Sequence, residues 1–222
     1  MGLRRSYLRF IRESVESTIG GFAGKRMLEL GNQRIARRAL VGARTGKAYY
    51  TALGVYHTSL DCNGKDGAVP LDLSVDIEKP EWEAHFDVIT NAGTTEHVEP
   101  FEAQYTCFRN LHRWMRPGGI QVHFVPAIEG LETTDRWTNH CNNYYSAAFF
   151  EMLARENGYE LVASTVINHL RAACVRKVSG APFMDDRALF LRHVSREEGG
   201  IDYSRPRPSL WRRLIGRRAS RT

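Results

Sequence analysis

The stretch Phe-Asp-Val-Ile-Thr-Asn-Ala-Gly-Thr-Thr-Glu-His-Val, residues 86–98, decides the fold of this chain. Residues 86–90 predict a short buried strand, because the β-branched Val88 and Ile89 stand side by side. The strand runs into a polar turn and then into Glu96-His97. Open α/β sheets bind their ligands in the crevice outside the carboxyl ends of their strands. The stretch therefore predicts a strand that ends at a binding site.

A second signature, Arg116-Pro117-Gly118-Gly119, precedes an apolar run at 120–125. Together with the first stretch, it resembles the fourth and fifth strands of class I S-adenosylmethionine-dependent methyltransferases, which often read "FD-V-I … EH-V" and then "L-x-P-G-G". The resemblance covers about residues 25–178. It implies an α/β chain with a three-layer Rossmann-like methyltransferase fold, whose seven-stranded, mostly parallel sheet ends in a C-terminal antiparallel hairpin.

Hydrophobic periodicity along the rest of the chain alternates between strands and helices. Further strands are predicted at 26–30, 55–60, 68–73, 159–167 and 170–178, the last two joined through Asn168-His169 as a hairpin. Helices are predicted at 3–19, 32–41, 101–115 and 146–157, the last capped by Ser146. This alternation is typical of a mostly parallel sheet covered by helices.

The chain is predicted to contain an N-terminal amphipathic helix (1–24), a methyltransferase domain (25–178) and a C-terminal extension with a basic tail (179–222). Residues 205–222 carry seven arginines and no acid, and residues 1–12 carry four arginines and no acid. From a formal net charge of +6, this leaves the body between the two ends at −5. An acidic body disfavours nucleic-acid binding across the fold, whereas the basic ends could contact RNA or an anionic membrane surface.

Composition also bounds the compartment and the metal content. The apolar runs are too short to span a bilayer, and the N-terminus lacks an apolar core of signal-peptide length. The four cysteines are scattered without a Cys-x-x-Cys pair, which argues against a zinc site and a disulfide scaffold. The six histidines other than His97 and His140 show no metal-ligand spacing. We therefore expect a cytoplasmic protein without a metal, whose basic ends could lie at the inner face of the membrane.

The segment Glu29-Leu30-Gly31-Asn32-Gln33 stands at the first strand-to-helix turn. A glycine there lets the backbone approach a ligand, and a helix N-terminus presents free N–H groups. The family's first motif is an acid followed by Gly-x-Gly-x-Gly, and this chain keeps only the acid and the first glycine. The resemblance implies that Glu29, Gly31 and Asn32 bind S-adenosyl-L-methionine. The alternative is a simple turn glycine beside a solvated glutamate.

Polar residues after the next strands complete the expected cofactor site. Asp61 ends the second strand, where a carboxylate can accept hydrogen bonds from both ribose hydroxyls. The resemblance implies that Asp72 contacts the adenine amino group and that its apolar neighbour Leu73 packs against the ring. It also implies that Asn91 lies near the sulfonium end of the cofactor. Asp61 could instead organise an Asp-Cys-Asn-Gly turn, and Asp76 competes with Asp72 for the polar role.

Three residues are the catalytic candidates. In the family, the carboxyl end of the fourth strand faces the sulfonium and the methyl acceptor, which points to His97, with Glu96 beside it, and to His140 from a later loop. A general base is needed only where the acceptor must lose a proton, as a hydroxyl does. The alternative is that Glu96-His97 begins a helix and that His97 packs structurally.

Residues that bind the acceptor are predicted in the segment before the 146–157 helix, namely Asn139, Tyr144 and Tyr145. Amide groups and tyrosines can hydrogen-bond and stack against a polar ring such as a sugar. A capped start of a surface helix is the alternative.

The sequence thus predicts methyl transfer from S-adenosyl-L-methionine to a small-molecule or glycan-type acceptor, at oxygen or nitrogen. One alternative is an RNA methyltransferase that grips its substrate with the arginine-rich tail, although the Asn-Pro-Pro-Tyr motif of base-amine methylation is absent. The other is a non-catalytic binding protein of the same fold, because loop glycines are missing from the first turn.

Overall fold

The computed structural model describes residues 2–39, 41–128 and 140–197. The strands are β1 (Gly2–Leu3), β2 (Arg26–Leu30), β3 (Arg34–Ile35), β4 (Tyr56–Leu60), β5 (Phe86–Ala92), β6 (Met115–Pro126), β7 (Asn143–Tyr145), β8 (Tyr159–Ile167), β9 (Leu170–Lys177) and β10 (Val194–Arg196). The helices are α1 (Arg5–Ile19), α2 (Gly46–Ala52), α3 (Ala103–Trp114), α4 (Ala147–Glu156) and α5 (Arg187–Arg192).

The main sheet has the strand order β4-β2-β5-β6-β9-β8. Its first four strands run parallel, whereas β9 pairs antiparallel with both β6 and β8. The turn between β8 and β9 is formed by Asn168 and His169, which both have positive φ angles, as a two-residue hairpin turn requires. The predicted α/β class and the C-terminal antiparallel hairpin are therefore confirmed.

The predicted count of seven strands is corrected to six in the main sheet of the described residues. The expected third strand at 68–73 makes only an isolated parallel bridge, between Leu60 and Val69. Pro70 cannot donate a backbone hydrogen bond to a ladder, and the Asp72 carboxylate accepts from the Ser74 N–H and turns the chain. Ala68 and Leu73 are therefore buried, and Val69 and Leu71 half-buried, without forming a strand.

The predicted helix at 32–41 is wrong for its described residues, 32–39 and 41. The short strand β3 pairs with β1, and a single helical turn follows at residues 37–39. The chain then folds back, since the Ile35 N–H donates to the Arg44 carbonyl. The helix that follows the first strand is instead α2, which the Thr45 side chain caps. The alternation of arginine and alanine in this segment is compatible with a helix or a strand. The pairing of β3 with β1 at the N-terminus selects the strand.

Alternate residues of the strands face two hydrophobic layers, which gives the three-layer arrangement. On one side, α1 packs on β6, with Tyr7 stacked on Phe124 at 4.6 Å between ring centroids. On the other side, α3 packs against β6 and α4 packs against β8 and β9, and Phe108 of α3 contacts Phe149 of α4. The helix α1 ends at Gly20, whose φ of 77° is the left-handed C-terminal conformation.

The first part of the C-terminal extension packs on the domain. Phe190 of α5 is fully buried against Phe108 and Phe149, and β10 pairs antiparallel with β7. The arginine-rich segment 205–222 lies outside the described residues. Among the described helices, none combines the length and the apolar character that a membrane crossing needs.

Candidate functional site

The carboxyl ends of three parallel strands meet at one edge of the sheet. Leu30 of β2 lies in register with Leu60 of β4 and with Asn91 of β5. The turns that follow these strands, at 31–33, 61–64 and 93–97, are therefore neighbours. This edge is where open α/β sheets bind ligands, and it holds most of the residues that the sequence selects.

Asn32 and Asp61, both predicted to bind the cofactor, contact each other. The Asn32 N–H donates to Asp61 Oδ2 at 3.1 Å, and the Asn32 amide donates to the Lys65 carbonyl and to Asp66 Oδ2. Asp61 Oδ1 also accepts from the Asn63 N–H at 3.1 Å. The half-exposed Asp61 carboxylate thus organises its own turn, and it keeps acceptor capacity toward solvent because each oxygen has two lone pairs.

Only glycine fits at position 31. Its φ is +76°, and an added Cβ would lie 2.8 Å from Gln33 Nε2 and 2.9 Å from Thr94 Oγ1. Gln33 and Thr94 both donate to the Leu30 carbonyl, at 3.2 and 3.0 Å. The buried Gln33 Oε1 has no hydrogen-bond partner among the described residues. Sequence reasoning treated Gln33 only as a departure from a motif and missed Thr94, since neither carries a recognisable signal.

Asp72 and Leu73 reach the same edge from the segment after β4. Leu73 is buried, whereas Asp72 is exposed. The pKa of the Cys62 thiol is raised by partial burial and by the charges of Asp61 and, more weakly, Asp72. Asp72 therefore lies near the turn that follows β4, as predicted.

The predicted cofactor contact of the Asn91 side chain is corrected, because this side chain is fully buried. Its amide nitrogen donates to Thr95 Oγ1 at 2.8 Å and to His123 Nδ1 at 3.2 Å. Its oxygen accepts from the N–H groups of Thr94 and Thr95. Asn91 therefore shapes the turn after β5 from inside the protein.

Glu29 is also turned inward, which corrects its predicted role in direct cofactor binding. Its Oε2 lies 3.4 Å from His57 Nε2, and each of the two side chains is 1% exposed. Burial raises the pKa of Glu29, and the neighbouring His57 partly opposes this shift. A Cβ on Gly46 would lie 2.0 Å from Glu29 Oε1, so the start of α2 closes over the carboxylate.

Glu96, His97 and His140, the three catalytic candidates, come together. Glu96 is fully buried, and burial raises its pKa to about 8. His97 Nε2 lies 3.8 Å from Glu96 Oε1, and the rings of His97 and His140 are 5.0 Å apart. One ligand atom from each of the three residues lies within 4.8 Å of the others. Burial lowers the pKa of His140, which favours its neutral form.

Hydrogen bonds explain why His140 lies beside residues more than forty positions earlier. The Asn143 amide donates to the carbonyls of Glu96 and Val98, at 3.1 and 3.2 Å. The Asn142 amide donates to Glu99 Oε1 at 2.8 Å. These amide groups attach the segment after His140 to the turn after β5, although neither was singled out in the sequence as an anchor.

Tyr144 and Tyr145, predicted to bind the acceptor, are both fully buried, so this prediction is corrected. The Tyr145 hydroxyl donates to Gln104 Oε1 at 2.6 Å, and the Tyr144 hydroxyl donates to the Cys141 carbonyl at 3.1 Å. As successive residues of β7, they point into opposite hydrophobic layers. Asn139 lies outside the described residues.

A polar cleft of about 410 Å³ lies at the opposite edge of the sheet, near the amino ends of β2, β4 and β5. Asp87 and Arg116, which form an ion pair, are among its lining residues. None of the predicted catalytic, cofactor-binding or acceptor-binding residues lines this cleft. It therefore does not compete with the carboxyl edge as the predicted site.

Comparisons with solved structures identify the fold. The 1,6-didemethyltoxoflavin-N1-methyltransferase of Burkholderia thailandensis, solved with 1,6-didemethyltoxoflavin and S-adenosylhomocysteine, is 17% identical with a TM-score of 0.54, over 77% of this chain and 79% of that one. The N-methyltransferase NodS of Bradyrhizobium japonicum WM9, in complex with S-adenosylhomocysteine, is 17% identical with a TM-score of 0.51, over 78% and 85%. The CcbJ methyltransferase of Streptomyces caelestis is 14% identical with a TM-score of 0.51, over 77% and 89%.

No protein-family model matches this chain, and no curated protein matches it significantly. The structural likeness nevertheless shows that the chain has the fold of class I S-adenosylmethionine-dependent methyltransferases. The resemblance read from residues 86–98 and 116–119 is confirmed at the level of the fold.

Proposed function

We propose that this protein transfers a methyl group from S-adenosyl-L-methionine to a small-molecule or glycan-type acceptor, at oxygen or nitrogen. The observation that carries the proposal is the convergence of two sets of residues at one edge of a methyltransferase fold. Gly31, Asn32 and Asp61 form one set, and Glu96, His97 and His140 form the other.

The residues at the first two turns fit this cofactor. The half-exposed Asp61 carboxylate suits the ribose hydroxyls, and the buried Leu73 suits one face of the adenine. Gly31 lets the backbone approach the methionine end. Gln33 Oε1, buried without a hydrogen-bond partner in the described part of the chain, offers an acceptor to an ammonium group there. Gln33 thus replaces the expected small residue with a polar contact.

The chain itself positions the acceptor and removes its proton where necessary. S-adenosyl-L-methionine, when bound, supplies the methyl group for an in-line displacement, whose rate depends on alignment. His97 is 14% exposed in its side chain and stands at the carboxyl end of β5, where it can reach an acceptor. A hydroxyl acceptor would pass its proton to His97 or His140.

One of the similar structures, which was solved with 1,6-didemethyltoxoflavin, supports the choice of a small acceptor. Another is an N-methyltransferase, which supports nitrogen as an acceptor atom. RNA is less favoured, since the body between the two basic ends has a net charge of −5. We also propose a cytoplasmic location, where this cofactor would be available, with the basic ends as the part that could touch an anionic membrane surface.

Titration calorimetry with S-adenosylhomocysteine tests the cofactor site in the full chain. Asp61→Ala should weaken binding about 10- to 150-fold, which is the value of a hydrogen bond to a charged group, about 1.5–3 kcal/mol. Asp61→Asn keeps an oxygen for the Asn32 N–H and shows whether turn geometry alone matters. Glu160→Ala is the matched control, because it removes a surface carboxylate that pairs with Arg176 in the terminal hairpin, outside the proposed site.

An unmodified protein that binds neither S-adenosylmethionine nor S-adenosylhomocysteine at millimolar concentration would end the proposal. An equal loss of affinity in Asp61→Ala and Glu160→Ala would contradict the position of the site. Circular dichroism of each variant separates lost binding from lost folding.

A further inference from the structure

Glu96 is a buried carboxylate whose two oxygens have no hydrogen-bond partner among the described residues. Leaving a carboxylate in this state is costly, because burial removes its hydration without compensation. Native proteins pair such groups with donors, cations or metal ions. A cation bound beside Glu96 would supply a partner for this carboxylate.

The histidines beside Glu96 have the geometry of metal ligands. His97 Nε2 is 3.8 Å from Glu96 Oε1, and the ligand atoms of Glu96, His97 and His140 all lie within 4.8 Å of one another. Ligands about 2.1 Å from one ion lie about 3–3.5 Å apart when they occupy adjacent positions. Side-chain movements that shorten these separations by about 0.5 to 1.5 Å would close the set around an ion.

The backbone that carries these side chains is already held in place. Asn143 bridges the carbonyls of Glu96 and Val98, and Asn142 binds Glu99. Arg196 of β10 pairs with the same Glu99 carboxylate at 3.1 Å. Preorganised ligands of this kind lower the cost of binding an ion.

We propose that Glu96, His97 and His140 bind a divalent transition-metal ion such as Zn²⁺ or Mn²⁺. One carboxylate oxygen and two imidazole nitrogens favour such ions over Ca²⁺ and Mg²⁺, which prefer oxygen ligands. Three protein ligands leave at least one coordination position open, as in catalytic metal sites. The sequence predicts no metal because the histidine that completes the set is separated from Glu96-His97 by a long stretch of chain.

The open position would hold the methyl acceptor. A hydroxyl bound to the ion loses its proton to solvent more readily, because the cation lowers its pKa, and its oxygen then accepts the methyl group as the carbon–sulfur bond breaks. The histidines would then act as ligands in place of acting as bases. This role rests on the proposed function, whereas the binding of the ion does not.

Calorimetric titration of the untagged, chelator-treated full chain with Zn²⁺, Mn²⁺ and Ca²⁺, without cofactor, tests the site. We expect Zn²⁺ or Mn²⁺ to bind one ion per chain, and Ca²⁺ to bind at least 10-fold more weakly. Glu96→Gln and His140→Gln should each weaken binding by at least about 10-fold. His57→Gln is the matched control, since it alters the other buried Glu–His pair and should leave metal affinity unchanged.

Visible absorption of the Co²⁺-substituted protein gives a second readout, because Co²⁺ held by nitrogen and oxygen ligands produces visible absorption bands. Glu96→Gln and His140→Gln should remove these bands. If Glu96→Gln fails to fold, the half-buried His140 variant decides the question. Failure of the unmodified chain to bind Zn²⁺ or Mn²⁺, or unchanged affinity in His140→Gln, would overturn the site. If the metal site fails but S-adenosylhomocysteine still binds, the proposed function stands without the metal. If the metal binds but the cofactor does not, the metal site stands and the proposed function fails.

Discussion

Two buried glutamates at the same edge of the sheet each face a histidine, and only one pair is open to solvent. In the closed pair, Glu29 and His57 lie 3.4 Å apart, and both side chains are 1% exposed. In the open pair, Glu96 and His97 lie 3.8 Å apart, and the His97 side chain is 14% exposed. The residue types are the same, and the surroundings differ.

The surroundings of the two pairs indicate a structural role for one and a chemical role for the other. The closed pair is covered by the start of α2 at Gly46 and by Tyr50, whose ring lies 6.0 Å from that of His57 in a stacked orientation. The open pair adjoins a second histidine, His140, from another segment. A Glu–His pair can serve ligand binding only where another group can reach it, so access decides between structural and chemical roles.

The largest expected effect comes from opening the closed pair. Gly46→Ala would place a Cβ 2.0 Å from Glu29 Oε1, and we expect it to lower the free energy of unfolding by about 3 kcal/mol. Gly180→Ala is the matched control, because a Cβ there meets nothing within 4 Å. Urea unfolding monitored by circular dichroism measures both. If the two variants proved equally stable, α2 would not seal Glu29.

A third buried histidine sharpens the comparison, because His123 has amide partners in place of a carboxylate. It accepts from the Asn91 amide at Nδ1 and donates from Nε2 to Gln121 Oε1, and burial lowers its pKa to about 3. The unfolded chain takes up a proton at this histidine below a pH of about 6.5, and the folded chain does not. Stability is therefore complete above that pH and falls as the pH drops toward about 3.

Between pH 7 and 5, this one site should cost about 2 kcal/mol of unfolding free energy. His123→Phe, which keeps the stacking on Phe108 and Phe150, should reduce the pH slope over this range by about 1 kcal/mol per unit, whatever its stability at pH 7. His123→Gln should reduce the slope equally. Urea unfolding at pH 7, 6 and 5 gives the slopes, and identical slopes in all three proteins would show that His123 titrates normally.

The smallest expected effect is the most direct test of the comparison. Double-mutant cycles built from Glu29→Gln with His57→Gln, and from Glu96→Gln with His97→Gln, measure how strongly each pair contributes to stability in metal-free protein. We expect about 1.5 kcal/mol for the closed pair and below about 0.5 kcal/mol for the open one, since access to water weakens the attraction. Equal coupling energies would remove the distinction between the two pairs.

Several structural features follow from short stretches of sequence. Val88 and Ile89 favour a strand wherever they are placed. Ser146 caps α4 by accepting from the Phe149 N–H, and Asn168-His169 turns the terminal hairpin. Each depends on neighbours within a few positions, which is why the class of fold could be predicted from residues alone.

The errors arise where contacts distant in sequence decide. The β1–β3 pairing replaces the helix predicted at 32–41, and it needs residues that are more than thirty positions apart. Asn91 and Tyr145 look like ligand-binding groups, but Thr95 and Gln104 accept their hydrogen bonds inside the core. A polar side chain at a strand end can point inward or outward, and only the packed neighbours settle which.

The sequence by itself determined the main parallel strands, the terminal hairpin and the turns at which a ligand could bind, because periodicity and turn chemistry are local. Only the tertiary structure decided that Glu29 is closed off from solvent and that His140 lies beside Glu96 and His97. That outcome depends on α2 covering one carboxylate and on Asn142 and Asn143 attaching a distant segment beside the other. Burial and access are properties of the assembled layers, and no single segment of the chain contains them.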